Sequence, residues 1–331
     1  MKRSAFLIAA LLTLLLFSVG CFSGNELNLL PDQNQPLSTR LVRAPASKST
    51  DDRILILDIE GVLVEYGRPG WLRDKEPTTA IVRRKLEKAE RDERVKAVVL
   101  RVNSPGGTVT ASDIIYRELL RFQQKTKIPI VASFMGVAAS GGYYVSCPAD
   151  TIVAHPTSIT GSIGVIMHSF GFHGLFEKIG VESRVIKAGS MKDVGNPFDE
   201  MTPEEREVLQ KIVDNAYARF VDVVDKGRPN LTREQVLKLA DGRVLHAQDA
   251  KKLGLVDQIG DLEDAIEEAK RLAKISDAGV ILYSTSKRPE QNIYSLTRAE
   301  TPEIGADLSV IDYEKLMDLA QPRLMYMWMG F

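Results

Sequence analysis

The sequence predicts an α/β fold with largely parallel strand pairing. Short apolar runs of strand character alternate with amphipathic helical runs up to about residue 190, the pattern of strands joined by helical crossovers. The early runs also end in Gly- or Pro-containing turns, which fix where each strand stops. Composition agrees: the chain has 331 residues, is 44% hydrophobic and 26% charged, and so resembles a globular protein with an ample core.

The elements follow in order. "RILILDIEGVLV" at 53–64 is a strand rich in β-branched residues. "PTTAIVRRKLEKAERDERV" is a helix, with Ile81, Leu86 and Ala89 on one face and a solvated Lys/Glu face opposite. "VKAVVLRVNSPGG" is a strand that stops in a Pro-Gly-Gly turn. "SDIIYRELLRFQQK" is a helix with Ser112 as its expected cap. "IPIVASF" and "DTIVAHP" are strands, with the small-residue run "GVAASGGYYVSC" between them. "TPEEREVLQKIVDNAYARFVDVVDKGR" is a long helix whose Thr202 and Glu205 make a capping box, and Thr232 and Gln235 open the next helix with the same device. "AQDAKKLGLVDQIG" holds a short helix ending at Gly254, and "DLEDAIEEAKRLAK" is a further helix. After about residue 285 the chain reads as irregular and ends in the apolar "RLMYMWMGF".

Several function classes are excluded early. The formal net charge of −1 leaves no basic footprint for nucleic acid. Two cysteines, Cys21 and Cys147, make no disulfide framework and no C-x-x-C zinc spacing. Four histidines show no metal-ligand spacing, so no metal and no cofactor is expected. Cys147, on the presumed helix after Ser140 and without a basic partner, reads as a buried small apolar residue.

The first 21 residues carry a separate message. Lys2 and Arg3 precede an apolar run from Ala5 to Val19, the layout of a secretory signal. At about 15 residues the run is short for a spanning helix, which needs about 20. Gly20-Cys21 resembles a lipoprotein processing site, with Cys21 the lipidation candidate; Ser18 departs from that pattern. A lipid anchor, an uncleaved membrane anchor and simple cleavage all remain open. The expected organisation is a signal peptide or anchor at 1–21, a flexible tether at 22–50, one catalytic domain at 51–285 and a tail at 286–331.

Ser140, in "VAASGGYY", has two readings. Small residues after a strand let a helix pack closely, and a serine there often only caps it. A reactive hydroxyl instead needs a base, oxyanion donors and a groove. "NSPGG" at 103–107 offers backbone N–H groups with no side chain in the way, although Pro-Gly-Gly is also ordinary turn chemistry. The base is either a histidine such as His168 or His155 backed by an aspartate, or a lysine. Lys192, in "KAGSMKDVGNPF", lies in a glycine-flanked stretch without helical periodicity, where a plain surface lysine is the alternative. A lysine base must titrate about 2–3 pH units below its usual value, a cost of about 3–4 kcal/mol that a dry site supplies.

"NSPGG", "ASGGYY", "TGSIGV" and "KAGSMKD…NPF" occur in that order. This ordered set, with "GRVLHAQDAKKLGLVDQIG" after it, resembles the signal peptide peptidase A family in its short form, over about residues 55–260. The resemblance implies a crotonase/caseinolytic-protease-like fold, a stacked parallel-sheet core with flanking helices. It implies Ser140 as nucleophile, Lys192 as general base, Gly107 and Gly141 as oxyanion donors, and Ser162 as the hydroxyl that orients the lysine. Met191 stands where the family often has an aromatic residue. The implied protein is a membrane-anchored serine protease of the extracytoplasmic side of a bacterial membrane, acting on cleaved signal peptides as a homo-oligomer whose serine and lysine can come from neighbouring protomers. Two competing readings are a Ser-His-Asp peptidase of the same fold, using His168 and an aspartate such as Asp214, and a non-catalytic membrane-tethered scaffold. A crotonase-like acyl-CoA enzyme is disfavoured, since such sites lack a nucleophilic serine.

Overall fold

Residues 37–67, 76–284, 292–294 and 323–330 are described by the computed structural model. The organising feature is a mostly parallel run of long strands. β2 (Arg53–Leu63) pairs with β3 (Val95–Thr108), β3 with β4 (Ile130–Ala139), and β4 with β5 (Thr151–Ala154), all in parallel. β10 (Gly279–Ser284) joins β2 in parallel, β1 (Ser38–Arg43) closes that edge antiparallel to β10, and the short β9 (Gln258–Ile259) pairs with β5 at the other.

Parallel strands buried on both faces must be apolar on both, and these are. Leu55, Leu57 and Ile59 of β2 point into one core with Val98, Leu100 and Val102 of β3. Ile54 and Ile56 point into the other with Ala97 and Val99. The first core is covered by α1 (Thr78–Arg91), α2 (Val109–Thr126), α3 (Gly141–Ser146) and α5 (Pro203–Gly227). The second is covered by α8 (Leu262–Ala273), through Leu262, Ala265, Ile266 and Ala269. The α/β layering read from the alternation is therefore present.

A second tier of strands branches from the same sheet. β4 pairs with β5 through Val131–Phe134 but with β6 (Ile159–Gly161) through Val137–Ala139. β8 (Val244–His246) adds to β6. The far end of β3 pairs antiparallel with β11 (Arg323–Met327), which also pairs with β7 (Ile166–His168). The remaining helices are α4 (His173–Ile179), α6 (Arg233–Leu239) and α7 (Ala247–Lys252).

Three local expectations change. Thr108, not Ser112, caps α2: its hydroxyl accepts from Ala111 N, and Ser112 lies inside the helix, bonded to the Thr108 carbonyl at 2.9 Å. The helix starts earlier because β3 runs straight into it. Ser38–Arg43, inside the stretch read as a flexible tether, is a strand whose register is set by β10. Arg323–Met327, inside the tail read as irregular, is a half-buried strand whose Tyr326 is fully buried. The capping boxes expected at Thr202 and Thr232 form, and α8 has a third at Asp261. No described helix is long and apolar enough to cross a membrane, and residues 1–21, Cys21 included, lie outside the described residues.

Candidate active site

Ser140 sits where β4 ends and α3 begins. Its backbone has φ 51° and ψ −115°, a conformation that L-residues avoid and that functional sites tolerate when neighbours hold it. The holding bonds are identifiable. Ser140 N donates to Gly161 O at 2.8 Å, and Ser140 O accepts from Tyr144 N at 2.9 Å. Ser140 occupies the N-cap position, yet its hydroxyl caps nothing. The packing explanation for a serine here therefore loses its main support, and the residue is 1% exposed. A serine on a sharp strand-to-helix turn is the arrangement by which hydrolases present a nucleophilic oxygen.

The glycine loop of β3 packs against this turn. Gly106 has φ 103°, and a Cβ there would fall 1.9 Å from the Tyr326 carbonyl oxygen and 2.6 Å from Gly141 N. A Cβ on Gly141 would fall 2.6 Å from Ser112 Oγ and 3.0 Å from both Gly106 Cα and the Tyr326 oxygen. Both glycines are thus required by close approach, and the space they clear holds a carbonyl oxygen. Gly107 is the register partner of Tyr326 in the β3–β11 pair. Ser104 shapes the loop: its hydroxyl donates to Gly61 O at 2.6 Å and accepts from Gly106 N at 3.1 Å. "NSPGG" and "SGG", 33 positions apart from Gly107 to Ser140 in the sequence, are brought together.

Ser162 follows β6 as Ser140 follows β4. Ala139 and Gly161 are register partners, and Ser162 has the same φ of 51° and is 8% exposed. Its N–H donates to Arg243 O at 2.7 Å. The two expected site serines are therefore neighbours.

Lys192 has no hydrogen bond to either serine among the described residues. It is exposed, its N–H donates to Gly189 O at 3.1 Å, and its ammonium has no ion pair among the described residues. The segment around it is tied to α4 instead. Phe198 stacks on Phe176 at 4.9 Å, Phe172 N donates to Pro197 O at 2.6 Å, and Lys187 pairs with Asp193 at 2.6 Å. This arm presents exposed apolar side chains, among them Phe170, Leu175, Ile179, Val185 and Ile186. The residues of the histidine alternative have other contacts. His168 lies in β7 with its ring 5.0 Å from Phe170, and Asp214 accepts from Gln210 at 2.8 Å.

β11 and the pocket behind it were not foreseen. Tyr326 is fully buried, stacked on Tyr144 at 5.0 Å and tilted on Phe220 at 4.7 Å, and its hydroxyl donates to Ala216 O at 2.6 Å. Tyr144 in turn donates to Asp113 at 2.6 Å, where Arg219 and Arg117 also bond at 2.8 and 2.6 Å. Burial pushes the Asp113 carboxyl up, but these three partners outweigh it and hold it below the usual carboxylate range. Burial, then the Asp113 contact, raises the Tyr144 phenol well above its ordinary value. Tyr143 packs in the core and donates to Leu255 O at 2.8 Å. Cys147 is buried and its thiol is pushed up to about 12 by desolvation, the inert character expected of it.

Similarity to known proteins defines the chain as a serine peptidase. A family model described as peptidase family S49 matches residues 122–276. A provisionally named protease of Methanocaldococcus jannaschii is 43% identical over 228 residues, covering 69% of this chain and 72% of the relative. A protein of Enterococcus faecium, provisionally named signal peptide peptidase SppA, is 40% identical over 235 residues, with 71% and 68% covered. Protease 4 of Salmonella typhi is 41% identical over 190 residues, which make up 57% of this chain and 30% of that longer protein. The chain belongs to peptidase family S49, with the signal peptide peptidase A proteins.

Proposed function

We propose that this peptidase is a membrane-associated endopeptidase with a Ser140/Lys192 dyad, degrading cleaved signal peptides and similar extended peptides. One observation carries the reading. β11 lies antiparallel to the glycine loop, and its Tyr326 carbonyl stands over Gly106 and Gly141, beside Ser140. An extended peptide laid along β3 in the same way, by strand addition, offers its carbonyl to the same turn.

The steps follow from that placement. Neutral Lys192 takes the Ser140 proton as the oxygen attacks the carbonyl carbon. The backbone N–H groups of Gly107 and Gly141 receive the developing oxyanion, and one such donor is worth about 2.7–4 kcal/mol of barrier. The lysine gives its proton to the leaving amine, and water cleaves the ester. Ser162, beside Ser140, orients the lysine.

The lysine is supplied by a neighbouring protomer in a homo-oligomer. The exposed arm that carries Lys192, with apolar side chains turned outward, suits a surface covered in an assembly. Residues 1–21 carry the signal-like run and tie the catalytic domain to the extracytoplasmic face of a bacterial membrane, with Cys21 as the lipid attachment point. The name of the Enterococcus faecium relative supports signal peptides as substrates.

The test is peptide cleavage by the chain lacking residues 1–36, with Ser140→Ala and Lys192→Ala beside it. Both variants are expected to lose at least about 10⁴-fold in kcat while keeping their assembly. Full activity in Lys192→Ala sinks the lysine base.

A further inference from the structure

The glycine loop is built around a serine that the proposed steps do not use. Ser104 is fully buried, and its hydroxyl bonds in both senses, donating to Gly61 O at 2.6 Å and accepting from Gly106 N at 3.1 Å. It sits at a break in the sheet. Glu60 pairs with Asn103 and Val62 with Gly106, so Gly61 of β2, at φ 63°, faces two residues of β3, Ser104 and Pro105. The β3–β4 register also slips between Val102 and Ser104. Where both ladders slip, this one hydroxyl supplies partners to Gly61 and Gly106.

The loop also gives its donor a direction. Trp328 N donates to Pro105 O at 2.9 Å. Opposed residues of an antiparallel ladder alternate between bonded and unbonded pairs, so the next bonded pair is Gly107 with Tyr326, and the Gly107 N–H faces the Tyr326 carbonyl. On the other side of that peptide, Gly106 O lies 3.5 Å from Ser104 Oγ. A trans peptide points its carbonyl and its N–H opposite ways, so Ser104 stands behind the donor that Gly107 presents. A plane between two glycines turns over at little steric cost, and the contacts to Ser104 oppose that turn. Ser104 also abuts the other donor's turn: a Cβ on Gly142 would fall 2.6 Å from Ser104 O and 3.4 Å from Ser104 Cβ.

We propose that Ser104 is a positioning residue for the reaction: its hydroxyl holds the Gly106–Gly107 peptide with the Gly107 N–H turned toward the reacting carbonyl. This rests on the reading of Ser140 as the nucleophile with Gly107 and Gly141 as its oxyanion donors. Ser104 touches no reacting atom. A hydroxyl suits the place because it donates and accepts at once. Alanine there leaves the Gly61 carbonyl and the Gly106 N–H without this partner, and the glycine pair is then free to turn. A fixed donor counts most when charge develops on the oxygen, so its loss falls on kcat rather than on KM.

The experiment compares wild type with Ser104→Ala and with Ser104→Cys, which nearly keeps the volume and offers only a weak donor and acceptor. The substrate is a synthetic peptide with the sequence of residues 322–328. The second probe is a peptidyl leucine boronate, whose tetrahedral adduct with a serine sets an oxygen in the oxyanion site. Ser104→Ala is expected to lower kcat about tenfold to a hundredfold, keep KM within about threefold, and raise the Ki of the boronate by about the same factor as kcat falls. Ser104→Cys is expected to fall between it and wild type. Thermal melts establish that each variant is folded, and where alanine does not fold, cysteine carries the same comparison. An unchanged kcat overturns the proposal, whether or not KM rises. A lower kcat with an unchanged boronate Ki shows a merely structural Ser104 and overturns its role, leaving the nucleophile standing. No cleavage by wild type, with Ser140 unlabelled by a fluorophosphonate, overturns the Ser140 reading and the role of Ser104 together.

Discussion

Ser140 and Ser162 end two paired parallel strands, share a φ of 51°, and are joined by the bond from Ser140 N to the carbonyl of Gly161 at 2.8 Å. Two non-glycine residues held at positive φ, side by side, are stored strain in one place. Each costs on the order of 1–3 kcal/mol. The surrounding sheet imposes it: β4 and β6 deliver the two turns in register, and the Arg243 carbonyl holds the second.

The strain makes a prediction that separates stability from activity. The pair φ 51°, ψ −115° mirrors the extended region, which glycine reaches without cost. Ser140→Gly is expected to stabilise the fold by about 1 kcal/mol in urea unfolding and to abolish cleavage. Ser140→Ala is expected to abolish cleavage with no such gain, since alanine keeps the Cβ. Equal stabilities of the two variants would refute the strain.

The glycines facing Ser140 predict the opposite balance. A methyl on Gly106 meets the Tyr326 oxygen at 1.9 Å and Gly141 N at 2.6 Å, both backbone atoms that cannot rotate away. Gly106→Ala is expected to destabilise by more than about 2 kcal/mol and to expel β11 from its slot. The readout is limited proteolysis: cleavage near Arg323 should appear in the variant and be slow in the wild type. Unchanged protection would mean that β11 is held elsewhere.

Much of this was legible in the sequence, and the reasons differ by element. The parallel core was readable because β2, β3 and β4 are apolar on both faces, which leaves no other environment for them. The serine turn and its glycine partner were readable as an ordered set of motifs, although no single one of them decides between packing and chemistry. β11 was not readable. "RLMYM" has no polar alternation, and its partners β3 and β7 lie more than 150 residues earlier, so nothing local announces the pairing. The Asp113 tether was hidden for the same reason: Asp113, Tyr144 and Arg219 come from three helices, and each looks like an ordinary helical residue in its own segment. Lys192 was named from its motif, and the chain leaves it exposed; the proposed role on a neighbouring protomer requires such exposure.

That last point has a direct test. If Lys192 serves the serine of the next protomer, two inactive proteins complement each other. Ser140→Ala and Lys192→Ala, unfolded together and refolded as mixed assemblies, are expected to recover on the order of a quarter of wild-type activity, since some interfaces pair an intact serine with an intact lysine. Separately refolded variants mixed without exchange are expected to stay inactive. If the lysine acts within its own chain, the mixed assemblies stay inactive as well.

Glu60 predicts how stability changes with pH. It lies on β2 with one carboxylate oxygen buried and without a hydrogen-bond partner among the described residues, two residues from Asp58, which is bonded to Arg101. Burial foremost, then the Asp58 charge, raises its pKa to about 7 against the pull of Arg101 and Lys85. The sign follows from linkage. Below about pH 4.5 Glu60 is protonated in both folded and unfolded chains, and its contribution is at its most favourable. Between there and about pH 7 the unfolded chain ionises first, so stability from this group falls as pH rises. Glu60→Gln removes the ionisation while keeping the shape. The variant is expected to exceed wild type at pH 8 by on the order of 1 kcal/mol, since solvent screens part of the effect, and to lose the advantage at pH 4. Urea unfolding of both proteins from pH 4 to pH 8 reads the difference, and parallel curves would remove Glu60 as its source.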